Sequence, residues 1–432
     1  MLLPQIQHWT HGRYSILINE LRAAREVIGD VTSLKRNSVI FLGLYNSAPF
    51  FGKIEKWLPS IEAKASTILI VDNASTDGTW NWARETLVPL LSNATLVLVR
   101  NPVNLGAGGS LLVNLDFLSS AEWVMTLHQD DEYSPNHLEE HLKIMNQASA
   151  SLGMISSESR SFNPGGKELS YPRGAWLLGS DASPADIFIG HLKNHSFPFS
   201  GASFRVEMLS SIPILWHSTA FPDTEMVLRA IPKWSFHYIS RATVRYLENP
   251  KSESHALSQG QRELGSFLAL VRVFRSQEFS NLLRGLEVLD LKDFAVGVNS
   301  ALRIRLTDAT LLGLIQAIAQ ETILESSGLN RTSAALLYPA FKDIGDFQAS
   351  NTLSNLATFG ERGSSIESEG SIAFVQPAFR VDDSTAKRWS TRLLPTLLGA
   401  LPRWLAKFLY IRALRSSHIR TTQPQWNFKW RN

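Results

Sequence analysis

The apolar run ILIVD (68–72) has the length of a β-strand and stops abruptly at the polar turn NASTDGT. The same transition recurs along the first third of the chain. SVIFLGLYN (38–46), TLVLVR (95–100) and WVMTLH (123–128) each end in turn residues. Between them lie stretches with helical periodicity. PFFGKIEKWLPSI places Phe50, Ile54, Trp57, Leu58 and Ile61 on one face, and GTWNWARETLVPLL, GAGGSLLVNLDFLSS and PNHLEEHLKIMNQA follow. Apolar strands alternating with amphipathic helices predict an α/β fold, a mostly parallel sheet flanked by helices on both faces. In such a sheet, polar groups at the carboxyl ends of successive strands mark where a ligand gathers.

Those ends are rich in chemistry: Asp72 with Asp77, the glycine-rich NPVNLGAGGS (101–110), and His128, Asp130, Asp131 and Glu132 in HQDDEYSP. The pattern points to an enzyme that handles a nucleotide and a metal. The chain contains no cysteine, which excludes disulfides, thiolate catalysis and zinc–thiolate or iron–sulfur sites, so any metal must sit on oxygen or histidine ligands.

At 432 residues, two or three structural units are expected. Beyond Leu152 the rhythm changes. GMISSESR reads as a further strand, FSGASFRVEML (199–209) as a strand entering a helix, FPDTEMVLRAI (221–231) as a helix, and FHYISRATVRYL (236–247) as a strand. From Gln259 to about Glu325 the pattern is helical, and 340–385 has no clear assignment. The resulting division is an N-terminal helical extension (1–36, with YSILINELRAAREVI lacking a clear partner), an α/β domain (37–258), a helical region (259–385) and a tail (386–432).

From Lys387 to the end the sequence has ten Lys/Arg and no Asp/Glu, although the whole chain carries only +3. Interleaved leucines and Trp389, Trp404, Trp426 and Trp430 make this tail a basic amphipathic segment suited to an anionic membrane surface. The competing uses are an oligomer interface or a helix packed on the acidic body. The first residues lack a signal-peptide pattern and no apolar run reaches ~18–20 residues, so a cytoplasmic protein peripheral to the inner membrane face is expected. A nucleic-acid role is disfavoured by the acidic body.

VDNASTDGT, NLGAGGS, the acid cluster after WVMTL, SGASFR and PDTEMVLR occur in this order, and the set resembles glycosyltransferase family 2 with the GT-A fold. Within it, DTEMVLR is similar to enzymes that transfer galactofuranose or rhamnose in bacterial cell-surface glycan synthesis. The resemblance implies an inverting transfer from a nucleoside diphosphate sugar (UDP or dTDP) to a glycan or polyprenyl-linked acceptor, with Mn²⁺ or Mg²⁺ as cofactor. It places Tyr45, Asn46 and Asp72 in the nucleotide pocket, with Asn104, Gly106, Gly108, His128 and Gln129 completing donor binding. Asp130 keeps the principal metal position. His128 replaces the first aspartate of the family's D-x-D, which favours manganese over magnesium. Asp223 aligns with the base that deprotonates the acceptor, and Glu225 with a group that orients acceptor or sugar. His255 stands nearest the family's metal-binding histidine, with His191 and His195 as other candidates.

Each position also has a plainer use. Asp77 suits an Asx turn that caps the following helix, Gly106–Gly109 a tight turn, Glu132 a solvated loop, and Asp223 with Glu225 a helix N-terminus. A non-catalytic nucleotide-sugar or glycan-binding relative whose metal site decayed at His128 is the alternative from another functional class.

Overall fold

The computed structural model describes residues 18–34, 37–62, 67–91, 94–169, 183–193, 197–212, 222–249 and 258–326, all within one compact unit spanning 1–363. Its nine strands are β1 (Glu26–Ile28), β2 (Ser38–Leu44), β3 (Thr67–Asp72), β4 (Thr95–Arg100), β5 (Trp123–His128), β6 (Glu132–Tyr133), β7 (Leu152–Phe162), β8 (Ser203–Arg205) and β9 (Ser235–Leu247). They form one sheet in the order β1-β4-β3-β2-β5-β8-β7-β9-β6. The centre, β4-β3-β2-β5, is parallel. Antiparallel pairings of β1, β8 and β6 extend it on either side.

The centre is parallel because both of its faces are covered. Every residue of β3 is buried, the pattern of a strand between two layers. Ile40, Leu42, Leu44, Ile68 and Ile70 pack against Ile54, Trp57, Leu58 and Ile61 of helix α1 (Phe51–Glu62). These positions recur every three to four residues, so α1 presents one continuous stripe to the sheet. Trp80 and Trp82 of α2 (Thr79–Trp82) join the same core, and Trp82 stacks on Phe51 at 4.0 Å. The intervening positions Val39, Phe41, Leu69, Val71, Val97 and Val99 are equally buried on the opposite face.

The expectation of a helix through residue 28 is corrected. The helix stops after 23, and Glu26–Ile28 form an edge strand antiparallel to β4. Short EVI has no period to reveal it, and its pairing with Leu98–Arg100 is a tertiary choice. The segment also has a partner: Arg25 makes paired bonds of 2.9 and 2.7 Å to Asp116.

The longer helices that follow are α3 (Gly106–Val113), α4 (His137–Met145), α5 (Pro184–Leu192), α6 (Val206–Ser211), α7 (Pro222–Ala230), α8 (Gln259–Phe274), α9 (Gln277–Arg284), α10 (Val288–Arg305) and α11 (Ala309–Ser326), with single turns such as Leu115–Leu118 between them. The last four confirm the helical pattern expected after residue 258. Among the described residues no helix is long and apolar enough to cross a membrane. The assignments for 340–385, the tail and His255 lie outside the described residues.

Helix α7 is tied to this helical layer by buried charge. Glu225 is fully buried, receives Arg272 Nε at 2.9 Å and lies 3.6 Å from Arg229, whose other nitrogen reaches Glu278 at 3.1 Å. Its expected role in orienting acceptor or sugar is therefore corrected. The carboxylate is fully buried and its charge is met by arginines of α7 and α8. Replacing Glu225 with Ala should leave Arg229 buried without its partner and cost about 3–5 kcal/mol in denaturant unfolding. A loss below about 1 kcal/mol would show that the network carries little of the α7 contact.

Candidate active site

Backbone register brings the site together. Leu44 lies opposite Asp72, Asp72 opposite Arg100, and Gly43 opposite His128, so four strands end at one level of the sheet. Their loops are then laced to one another. Asn46 takes a positive φ of 47° and its side-chain oxygen accepts the Thr76 N–H at 2.9 Å. Asp77 accepts the Ala48 N–H at 2.9 Å and the Thr79 N–H at 3.2 Å, an Asx turn that leads into α2, whose N-cap is Gly78.

Gln129 forms a double bond pair with the Tyr45 peptide: Tyr45 N–H to Oε1 at 2.6 Å, and Nε2 to the Tyr45 oxygen at 2.8 Å. Its Oε1 also accepts the Ser47 hydroxyl at 2.5 Å. The expected direct donor contact of Gln129 is corrected, because the amide is engaged in holding the first loop. Tyr45 and Asn46 stay half-buried at the mouth.

Asp72 is likewise corrected. Its side chain has no exposed surface, so in this conformation it reaches no ligand directly. Burial raises its carboxyl above the ordinary value, while the Ser75 hydrogen bonds and the Arg100 guanidinium at 3.2 Å pull it back. Asp72 thus fixes Arg100 and the 73–75 turn.

The glycine turn is organised by asparagines. Asn73 Nδ2 donates to Asn104 Oδ1 at 2.7 Å, and Asn73 Oδ1 accepts the Leu105 N–H and the Asn101 side chain. Asn104 Oδ1 also accepts the Gly106 N–H at 2.9 Å, and Gly106 has φ of 70°, a conformation that glycine adopts without strain. Asn104 therefore shapes the turn, while Gly106 and Gly108 remain half-buried at the start of α3. Asn73 lies in the Asx-rich turn that the NASTDGT segment suggests, whereas Asn101 escaped the sequence reading. The available signal was an asparagine immediately after each of the strands β3 and β4.

At the end of β5, one ligand atom from each of His128, Asp130 and Asp131 lies within 4.8 Å of the others. Asp131, absent from the expected metal set, is 1% exposed. Its Oδ1 accepts the Leu247 N–H at 2.8 Å, and its buried Oδ2 has no hydrogen-bond partner and stands 4.0 Å from His128 Nδ1. Burial and the neighbouring Asp130 raise the Asp131 carboxyl to about 7. A buried carboxylate oxygen without a donor is costly unless a cation or proton meets it. One imidazole and two carboxylates fit Mn²⁺, and Mg²⁺ less well. Glu132, expected on a solvated loop, lies instead on the short strand β6 and is held by Arg245 at 2.8 Å and Lys53 at 3.5 Å.

Half-buried Asp223, in the first turn of α7, faces this cluster. Burial raises its carboxyl, against the Thr224 N–H at 2.8 Å, Arg305 and His128. Partial burial lowers His128 against the pull of Asp130 and Asp223. Buried His191 is driven down to about 3 by burial and by Arg305, and it stands outside the three-residue group. His195, like His255, lies outside the described residues.

Residues 44–212 match Glycosyl transferase family 2. The matched segment is less than half of the chain. It contains the whole His128–Asp131 cluster and stops short of Asp223. The chain matches no curated protein. Similar solved structures include S. aureus TarS 1–349 in complex with UDP-GlcNAc, at 13% identity over 69% of this chain and 90% of that one, TM-score 0.46. Others are the mannosyltransferase PcManGT from Pyrobaculum calidifontis with GDP-Man and Mn²⁺ (16%, 84% and 92%, 0.35) and glucosyl-3-phosphoglycerate synthase from Mycobacterium tuberculosis with Mn²⁺ and UDP-glucose (18%, 59% and 83%, 0.37).

The raised Asp131 carboxyl gives a test with a definite sign. A folded-state value of about 7, above the ordinary carboxylate range, means stability falls as pH rises from about 4 to about 7 and stays lost above it. At pH 8 in chelator, the Asp131→Asn protein should therefore melt above the native one. The same variant should bind Mn²⁺ more than about tenfold more weakly by calorimetry. Equal melting points in chelator would remove the unpaired-carboxylate argument.

Proposed function

We propose that this chain is an inverting glycosyltransferase that moves a sugar from a nucleoside diphosphate donor to an acceptor hydroxyl. The observation that carries the reading is Asp223, a carboxyl raised by burial and facing the His128–Asp130–Asp131 cluster. A group that takes a proton thus stands beside a group that can hold a diphosphate-bound cation, and the family match over 44–212 agrees.

In this reading Asp223 accepts the acceptor O–H proton as that oxygen bonds to the anomeric carbon. The bond from that carbon to the diphosphate oxygen breaks on the opposite face, which inverts the configuration. A raised carboxyl is the stronger base, and Arg305 and His128 offset part of the rise that burial causes. His128, Asp130 and Asp131 would hold Mn²⁺ or Mg²⁺, which supplies charge neutralisation to the departing diphosphate. The start of α3 at Gly108 offers its backbone N–H to the same anion, while the Gly106 N–H is held by Asn104. Tyr45 and Asn46 border the place for the base.

UDP- or dTDP-linked galactofuranose and rhamnose are the donors implied by DTEMVLR, and a lipid-linked or polysaccharide acceptor is the matching partner. Two members of that string, Glu225 and Arg229, are occupied in the buried ion-pair network, so the sugar assignment rests on Asp223 alone.

Donor hydrolysis and transfer, screened over a panel of nucleotide sugars, should require a divalent cation. Asp130→Asn should lose most turnover while remaining folded, and full activity in excess chelator would overturn the metal-assisted reading. Asp223→Asn should lose about 10²-fold or more in kcat with nucleotide affinity nearly unchanged. If calorimetry shows that nucleotide binding is lost instead, Asp223 belongs to the donor pocket and the base assignment falls.

The basic tail is proposed to hold the enzyme at an anionic membrane, close to a lipid-carried acceptor. Deleting 387–432 should abolish binding to anionic vesicles and leave donor hydrolysis intact, and high salt should weaken the full-length protein's binding. Full-length protein that ignores such vesicles would end this part of the reading.

A further inference from the structure

The SGASFR motif has no part in the chemistry above, yet it reaches the cation cluster. Along one edge of β5 the backbone bonds pass from Thr126 N–H to the Ala202 oxygen, and Gly201 N–H returns to the Thr126 oxygen at 2.9 Å. Two residues further on, the next N–H on that edge belongs to His128. By then the neighbouring chain has turned away at Gly201, whose φ is 73°. The His128 N–H is met instead by the Tyr133 hydroxyl at 2.7 Å, and that hydroxyl lies 2.7 Å from Ser200 Oγ.

The proton count gives the chain a direction. Tyr133 oxygen accepts from His128 N–H, so its own proton is available to Ser200 Oγ. The Ser200 proton is then left over at the end of the chain, on the side of the neighbouring Asp131 carboxyl. Both side chains are enclosed, with Tyr133 4% and Ser200 3% exposed. Tyr133 is wedged edge-on against Trp57 at 4.8 Å. On its other side, a Cβ on Gly201 would come within 2.9 Å of the Tyr133 ring and 2.6 Å of His137 Nε2. The glycine is required by this close approach as well as by its φ.

We propose that Tyr133 and Ser200 are positioning residues, a hydroxyl strut that fixes His128 and Asp131 at the separation a divalent cation needs. The proposal rests on the metal-binding reading of the His128–Asp130–Asp131 cluster. It assigns to the S-G-A turn the task of carrying Ser200 under the end of β5, where no strand continues to hold it.

The probe is Mn²⁺ alone, titrated into the full chain and followed by electron paramagnetic resonance of the free ion, with melting points recorded in chelator. Tyr133→Phe keeps the ring and removes one hydroxyl, and it should weaken Mn²⁺ binding about tenfold. Ser200→Ala should do the same. The double variant should bind within about twofold of the weaker single one, because both changes break one chain. Ser200→Thr keeps a hydroxyl, should remain near native, and carries the test with Ser200→Ala if Tyr133→Phe does not fold. Native protein that binds Mn²⁺ while both single variants bind it equally well overturns the strut and leaves the metal reading standing. Losses that multiply in the double variant overturn it too, since they belong to two independent contacts. If the native chain binds no Mn²⁺, the metal reading fails and takes the strut with it.

Discussion

The backbone ladder of the four parallel strands sets the level at which everything else happens. Hydrogen bonding between β4, β3, β2 and β5 allows no sliding by a single residue, because a slip would turn every buried side chain to the wrong face. Leu44, Asp72, Arg100 and His128 therefore arrive together at one rim. The polar residues that follow have no strand left to pair with. They must satisfy one another or a ligand, and most satisfy one another: Asn46 with Thr76, Asp77 with Ala48, Gln129 with Tyr45 and Asn73 with Asn104. What is left unsatisfied is correspondingly informative. At the rim, Asp131 Oδ2 is the buried oxygen without a donor among the described residues.

Two acid pairs show how burial and partner decide role. Asp131 and Glu225 are both enclosed carboxylates. Glu225 is surrounded by Arg272 and Arg229 and joins the helical layer to α7. Asp131 meets the Leu247 N–H, the Ser200 hydroxyl, a nearby acid and an imidazole, with Lys53 only at longer range, which leaves it short of positive charge. A cation completes the second and would be repelled by the first. Asp130 and Glu132 divide in a similar way: Lys53 and Arg245 already neutralise Glu132.

The strands of the parallel centre and the meeting of their polar ends were legible because apolar runs ending in Asp, Asn and Gly follow from one short window of sequence. Helix α1 was legible for the same reason. What failed to show were features decided by distant partners. β1 depends on β4, some seventy residues on, and two-residue β6 on β9. Glu225 read as a site acid because Arg272 lies 47 positions away, and Asp131 was passed over because the N–H that orients it belongs to Leu247, 116 positions away. Spacing within a motif indicates which residue types are near one another. It does not say which of them faces inward.

That last contact has a consequence for how the chain comes into being. Leu247 sits at the end of β9, the last strand of the sheet, and Glu132–Tyr133 pair with Val244–Arg245 of the same strand. All three prospective ligands are therefore synthesised more than a hundred residues before the backbone that sets them. A nascent chain released only to residue 234 would carry the whole matched segment and every acidic motif residue up to Asp223. It would still hold Asp131 on an unpaired loop. The Asp131 brace is a long-range pairing, so it cannot form before translation has supplied β9.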